Sequence, residues 1–263
     1  LKQAACLVML LASGCGKKFD NAYTFPEGGL EQLAQNDSAL KLSGFASELC
    51  VPEADQDVNT DGVNAAAFAL FSIDGREVIS QHNIYEKVYP ASTTKILTCL
   101  IALENGNLDD VVTVPDSSRI TVSGSSMADL EPGDTLTLRE LLYGLMVPSG
   151  NDAAEAIASY ISGDADSFAQ LMNAEAKRLG ATHSHFMNPH GLPNDEHYTT
   201  VYDMYLIFNE AMKNEEFRKI TRTVSYTCTL NTAEGSKMRR ERSLGSRETA
   251  FTLINSRLPT IWI

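Results

Sequence analysis

The chain has 263 residues, enough for one large domain or two small ones. Its 43% hydrophobic and 21% charged residues are ordinary globular material and sufficient for a real core. A formal net charge of −13 argues against a nucleic-acid partner, because phosphate binding wants a basic patch. In chain order, the first element is Lys2 followed by an apolar run over 4–12 and then Ser13-Gly14-Cys15. The run is too short to span a bilayer as a helix but fits the apolar region of a signal peptide. Leu11-Ala12-Ser13-Gly14-Cys15 resembles a bacterial lipobox, in which Cys15 becomes the lipidated first residue; the simpler reading is an ordinary signal peptide cleaved nearby.

Residues 16–61 are polar and acidic without a sustained period, and read as a tether with one short helix over 30–42. The folded part is expected from residue 62 to 228. It opens with an apolar strand over 65–73, a turn at Asp74-Gly75 and a second strand over 77–84. A helix is expected from Ser92 to Asn105-Gly106, then short strands and loops over 108–122. Thr137-Leu138-Arg139-Glu140 is a capping box ahead of a helix through Met146. Further helices are expected over 151–161, stopping at Gly163; over 167–179, stopping at Gly180; and over 200–212, capped by Thr200. Residues 222–230 alternate like a strand. A leading hairpin, a helical block and a returning strand define an α+β class, with helices packed on an antiparallel sheet.

Ser92-Thr93-Thr94-Lys95 carries the chemistry. Serine and lysine three apart on a helix share one face, so the amine can manage the hydroxyl proton. The serine also sits at a helix N-terminus, where developing negative charge is favoured. That is the arrangement of an activated nucleophile. The spacing alone is weak, since on the order of one S-x-x-K arises by chance in a chain this long. Ser38-Ala39-Leu40-Lys41 has the same spacing and no companion motif.

The companion of Ser92 is Pro148-Ser149-Gly150-Asn151-Asp152, between two helices. Ser149 is a candidate proton relay between Lys95 and a leaving group, and Asn151 offers a donor and an acceptor to a substrate amide. By residue type alone, the same two residues also read as a helix N-cap.

The order S-T-T-K then S-G-N resembles the penicillin-binding serine enzymes. Residues 89–95, 146–154, 186–193 (Phe186-Met187-Asn188-Pro189-His190-Gly191-Leu192-Pro193) and 197–204 together resemble the low-molecular-mass D-alanyl-D-alanine carboxypeptidases. Ser-Gly-Asn and the lack of an E-x-x-L-N segment after Asn151 set it apart from the class A β-lactamases. The resemblance implies an antiparallel sheet flanked by helices with a helical subdomain. It implies a peptidoglycan stem peptide ending in D-Ala-D-Ala as substrate and β-lactams as ligands. Ser92 is then the nucleophile, Lys95 its base, Ser149 the relay and Asn151 the substrate-holding residue, with no metal or organic cofactor. A lipid-anchored place on the outer face of the bacterial cytoplasmic membrane follows from Cys15.

The family's third motif, Lys-Thr-Gly or Lys-Ser-Gly, is missing. The lysines beyond Thr200 are Lys213, Lys219 and Lys237, and none is followed by it. Residues 229–263 depart from the family pattern, so a truncated or frameshifted chain, incomplete in its C-terminal strands and impaired in activity, is expected. Two competing readings are a catalytically dead wall-sensing lipoprotein and a β-lactamase. A third, a metal site on His183, His185, His190 and His197, lacks an accompanying carboxylate motif. The five cysteines, Cys6, Cys15, Cys50, Cys99 and Cys228, show no metal or disulfide spacing.

Overall fold

A computed structural model describes residues 48–52, 65–232, 239–244 and 260–262. The signal segment, most of the tether and the Ser38 decoy lie outside the described residues.

The leading hairpin forms as expected, from β1 (Phe68–Ser72) and β2 (Glu77–His82), with a register shift between Leu70 and Phe71. After it comes a single 3₁₀ turn, Ala91–Thr93, that runs into α1 (Thr94–Asn105). From Thr94 to Ala102 every residue of α1 is buried, so this helix is the centre of the molecule rather than a surface layer. Two short strands, β3 (Val111–Thr113) and β4 (Thr135–Thr137), pair antiparallel.

The helical block follows: α2 (Leu138–Met146), α3 (Asn151–Ser162), α4 (Ala165–Arg178) and α5 (Val201–Ala211). The capping box of α2 is formed, with the Thr137 side chain accepting from Glu140 N and Glu140 Oε2 accepting from Thr137 N at 2.7 Å. Asp164 caps α4, which starts two residues earlier than the apolar spacing indicates. Thr200 caps α5 by accepting from Asp203 N. One helix was not foreseen: α6 (Glu215–Thr221), capped by Asn214. It is only seven residues long, less than two full apolar repeats, and Phe217 and Ile220 are its only buried side chains.

The sheet topology corrects the sequence reading. The returning strand, β5 (Tyr226–Asn231), does not join the leading hairpin. It pairs with β4 and with β6 (Arg239–Leu244) in a sheet of order β3-β4-β5-β6. The strand that does return to β1 is β7 (Thr260–Trp262), giving the order β2-β1-β7. Both β6 and β7 fall in the stretch expected to be a divergent tail. Strand pairing is made by backbone groups, so a segment whose side chains match nothing can still supply a strand.

The tether boundary also moves. Cys50 is buried against Ala69, Phe71 and Tyr205, and its N–H donates to the Tyr205 hydroxyl at 2.8 Å. The Tyr205 ring stacks on Phe71 at 4.1 Å between centroids. This cluster sits under β1 and β2. The main core lies between helices α1 to α6 and the inner faces of β3–β5, and includes Leu97, Leu142, Ile157, Phe168 and Phe208.

Candidate active site

Ser92 lies in the 3₁₀ turn and Lys95 is the second residue of α1. In a 3₁₀ turn, side chains at i and i+3 eclipse, which brings the pair closer than an α-helical start would. The Lys95 Nζ is 3.4 Å from the Ser92 Oγ. That is long for a formed hydrogen bond and short enough for a base that tightens in the reacting complex.

Lys95 is fully buried. A buried ammonium needs compensating partners, and the structure supplies two carbonyl-type oxygens. Nζ donates to Asn151 Oδ1 at 2.7 Å and to the His190 backbone oxygen at 2.8 Å. Burial pushes the Lys95 pKa down to about 7, and the nearby Asp152 charge opposes part of that fall. An amine with that pKa is a usable base at neutral pH.

Asn151 is the first residue of α3, held there by a bond from its N–H to Ser126 O at 2.9 Å. Asp152 fastens the same helix start to the 126–130 loop. Its carboxylate accepts from the N–H groups of Ala128 and Leu130 at 2.8 Å each, and burial raises its pKa against those bonds. Gly150 is required by space: a Cβ there would meet Gly144 O at 2.7 Å and the Ala128 Cβ at 2.8 Å.

Ser149 has a left-handed backbone, φ +61°, and its buried hydroxyl has no hydrogen-bond partner. It is therefore not bonded to Lys95, whose partners are Ser92, Asn151 and His190. Ala91, just before Ser92, is the second non-glycine of the site in the left-handed region, at φ +47°. Such conformations cost on the order of 1–2 kcal/mol and concentrate at working sites.

The segment 186–199 forms the wall facing Ser92 and Lys95. The backbone of Val88 pairs with Thr199, and His185 with Tyr198, which pins the segment beside the Ala91–Thr93 turn. Asn188 Oδ1 accepts from the N–H of His190 and of Gly191, shaping a tight turn. Gly191 has φ +85°, and a Cβ there would lie 1.7 Å from Ala91 O, so the two backbones touch. Thr98 Oγ1 donates to Pro189 O at 2.6 Å.

Two histidines brace this wall. Met187 N–H donates to His197 Nδ1 at 3.0 Å, which leaves the proton on Nε2, and Nε2 donates to Thr94 Oγ1 at 2.9 Å. Burial, then the neighbouring His190 and His185, pushes the His197 pKa down to about 4. His190 accepts from Leu192 N–H at Nδ1 and reaches Glu155 Oε1 through Nε2 at 3.2 Å. With both ring nitrogens of each engaged, neither is available to a metal. Among the described residues, no group of three His, Cys, Asp or Glu side chains gathers as metal ligands would.

The structure thus brings Ser92, Lys95 and Asn151 into one bonded set and leaves Ser149 unbonded. Of the lysines beyond Thr200, Lys213 is paired with Glu210 and Lys219 with Glu216 on the surface. Sequence reasoning missed the His190 carbonyl, the His197–Thr94 bond and the Asp152 anchor. A carbonyl leaves no mark in sequence. The Asp152 anchor had one, an acid in the first turn of a helix, where dipole and backbone donors both favour it. A pocket of about 290 Å³ opens beside Ala91, lined in part by Tyr89, Leu192, Pro193 and His197; neither Ser92 nor Lys95 lines it.

The fold is that of the penicillin-binding DD-peptidases. It is similar to the Streptomyces K15 DD-transpeptidase, with a TM-score of 0.66 and 31% identity over 73% of this chain and 76% of that one. A D-alanyl-D-alanine carboxypeptidase from Mycobacterium tuberculosis H37Rv matches with a TM-score of 0.60 and 30% identity, over 68% of this chain and 65% of that one. The family model for D-alanyl-D-alanine carboxypeptidase, peptidase S11, matches residues 54–255, and the chain belongs to that family. Among curated relatives, D-alanyl-D-alanine carboxypeptidase DacF of Bacillus subtilis strain 168 is 38% identical over 162 residues, 60% of this chain and 42% of the relative. The D-alanyl-D-alanine carboxypeptidase of Streptomyces sp. strain K15 is 41% identical over 155 residues, 55% of this chain and 53% of the relative. The chain thus spans about half the length of these relatives.

Proposed function

We propose that this chain carries the acylating half of a serine-type D-alanyl-D-alanine carboxypeptidase. The substrate is a peptidoglycan stem peptide ending in D-Ala-D-Ala, and β-lactams acylate the same serine. The single observation that carries the reading is the Lys95 amine, buried, lowered to a pKa of about 7 and placed 3.4 Å from the Ser92 hydroxyl. Ser92 Oγ attacks the carbonyl between the two D-alanines while Lys95 takes its proton. The C–N bond breaks, and the proton passes to the leaving amine, with the unbonded Ser149 hydroxyl as the relay. Water then cleaves the acyl ester and restores Ser92. Asn151, besides holding Lys95, keeps its amide N–H₂ for the substrate backbone. The backbone N–H of Ser92 is one oxyanion donor.

A second reading rests on a different observation. The third motif, which in this family supplies the second oxyanion donor and a carboxylate-binding lysine, is not among the residues of this chain. Removing one oxyanion donor costs about 10²- to 10³-fold in rate. On that reading the chain binds penicillin slowly and turns peptide over poorly. Labelling the purified chain with fluorescent penicillin tests both. Covalent label that disappears in Ser92→Ala supports the acylation reading, and its rate separates the two. Absence of label at Ser92 overturns it.

Secretion and lipid anchoring at Cys15 are also proposed, from the N-terminal sequence alone. Among the described residues, no helix is long and apolar enough to cross a membrane. Radiolabelled palmitate incorporated in wild type and lost in Cys15→Ala is the expected result.

A further inference from the structure

A neutral lysine amine has two N–H donors and one lone pair. The partners of Lys95 are two pure acceptors, Asn151 Oδ1 and the His190 carbonyl, and one hydroxyl, Ser92. When both acceptors take an N–H, the lone pair is left for the only partner with a proton to give. If either acceptor withdraws, an N–H turns toward Ser92 Oγ and the base faces the wrong way.

The two acceptors are held by different means. Asn151 is fixed by its place at the start of α3. The His190 carbonyl lies in an irregular turn, so its position depends on side chains. Within the turn, the Asn188 amide and the Leu192 N–H hold residue 190. Beyond the turn, the His190 ring reaches Glu155, and both side chains are 8% exposed. Glu155 is four residues after Asn151 on α3, one helical turn along the same face. Both acceptors of Lys95 are therefore referenced to one rigid helix.

We propose that Glu155 is a positioning residue: by holding the His190 ring it fixes the His190 carbonyl against Lys95, so that the amine presents its lone pair to Ser92. This rests on the reading that Ser92 is acylated. The charged and titratable groups brought to Lys95 are Asp152 from α3, His190 itself, and Glu155 behind it; His197 faces Thr94 rather than the amine.

The test uses the full chain as wild type, Glu155→Gln, Glu155→Met and Ser92→Ala. The acylation rate with fluorescent penicillin is measured against pH, with the final labelled fraction. The titration of Lys95 is followed by NMR of lysine-labelled protein. Glu155→Met is expected to acylate at least about tenfold more slowly, as misplacement of a reacting group does, while still reaching full labelling. Its Lys95 midpoint is expected to fall, because the ammonium has lost a fixed acceptor. Glu155→Gln, which still accepts from His190 Nε2, is expected to restore the rate to within about threefold and the midpoint to wild type. A wild-type rate in Glu155→Met overturns the proposal. So does Glu155→Gln behaving like Glu155→Met, which would assign the effect to charge. Should Glu155→Met fail to fold, Glu155→Asp decides: it keeps the charge but not the reach, so slow acylation supports and a wild-type rate overturns. If wild type takes no label at Ser92, the functional reading fails separately, and an unmoved Lys95 midpoint in Glu155→Met still overturns the positioning role.

Discussion

Lys95 is a cationic side chain in the first turn of a buried helix, and that placement sets its chemistry. Burial disfavours the ammonium and lowers its pKa to about 7. The amine is the active form, so penicillin acylation of Ser92 is expected to rise with pH and level off above about 7, and to be lost in Lys95→Ala. A rate flat from pH 5 to 9 would remove Lys95 from the base role. His197 makes stability, like acylation, fall toward acid pH. Its folded pKa of about 4 lies below the ordinary value of 6.5, so the unfolded chain binds the proton first. The stability it contributes is whole above pH 6.5 and is lost as pH falls toward 4, amounting to at most about 3 kcal/mol. Urea unfolding at a series of pH values is expected to show this acid limb, and His197→Gln to flatten it. Ser92, Lys95, Ser149 and Asn151 were all legible in the sequence as candidates, because their types and order carry the pattern. Whether Ser149 bonded to Lys95 was not legible. The amine's donors are taken by a carbonyl 95 residues away in the chain.

At the scale of elements, the site is assembled from helix starts. Ser92 and Lys95 sit at the start of α1, Asn151 and Asp152 at the start of α3, and backbone donors and dipole at those ends favour the charges that reaction develops. The capped starts were the best-read features. Thr137-Leu138-Arg139-Glu140 announces its helix because the capping box is a local bond pattern with fixed spacing. Thr137→Ala is expected to cost about 1 kcal/mol, read as a lower urea midpoint with an unchanged slope. The 3₁₀ turn at Ala91–Thr93 was read as ordinary α-helix, since the residues that tighten it act from outside. Gly191 presses on Ala91 O, and only Gly can make that contact. α6 escaped notice because a seven-residue helix shows too little periodicity to stand out.

For the whole molecule, α1 is wrapped by the other helices, so catalytic geometry and core packing are one problem. Leu142 of α2 is fully buried in that core. Leu142→Ala is expected to cost about 2–5 kcal/mol, with activity and fluorescence lost in one transition, because the cavity opens in the core that also carries the site. Separate transitions for the two signals would show the site resting on a smaller unit. The α+β class, the hairpin, the principal helices and the nearness of Ser92 to Lys95 were set by the sequence alone, since each depends on local spacing, capping or turn chemistry. The pairing of β7 with β1, the partners of β5, the burial of Cys50, the wall over 186–199 and the two acceptors that aim Lys95 were decided only in the tertiary structure. Those are long-range contacts made largely by backbone groups, which every residue carries and no side-chain pattern advertises.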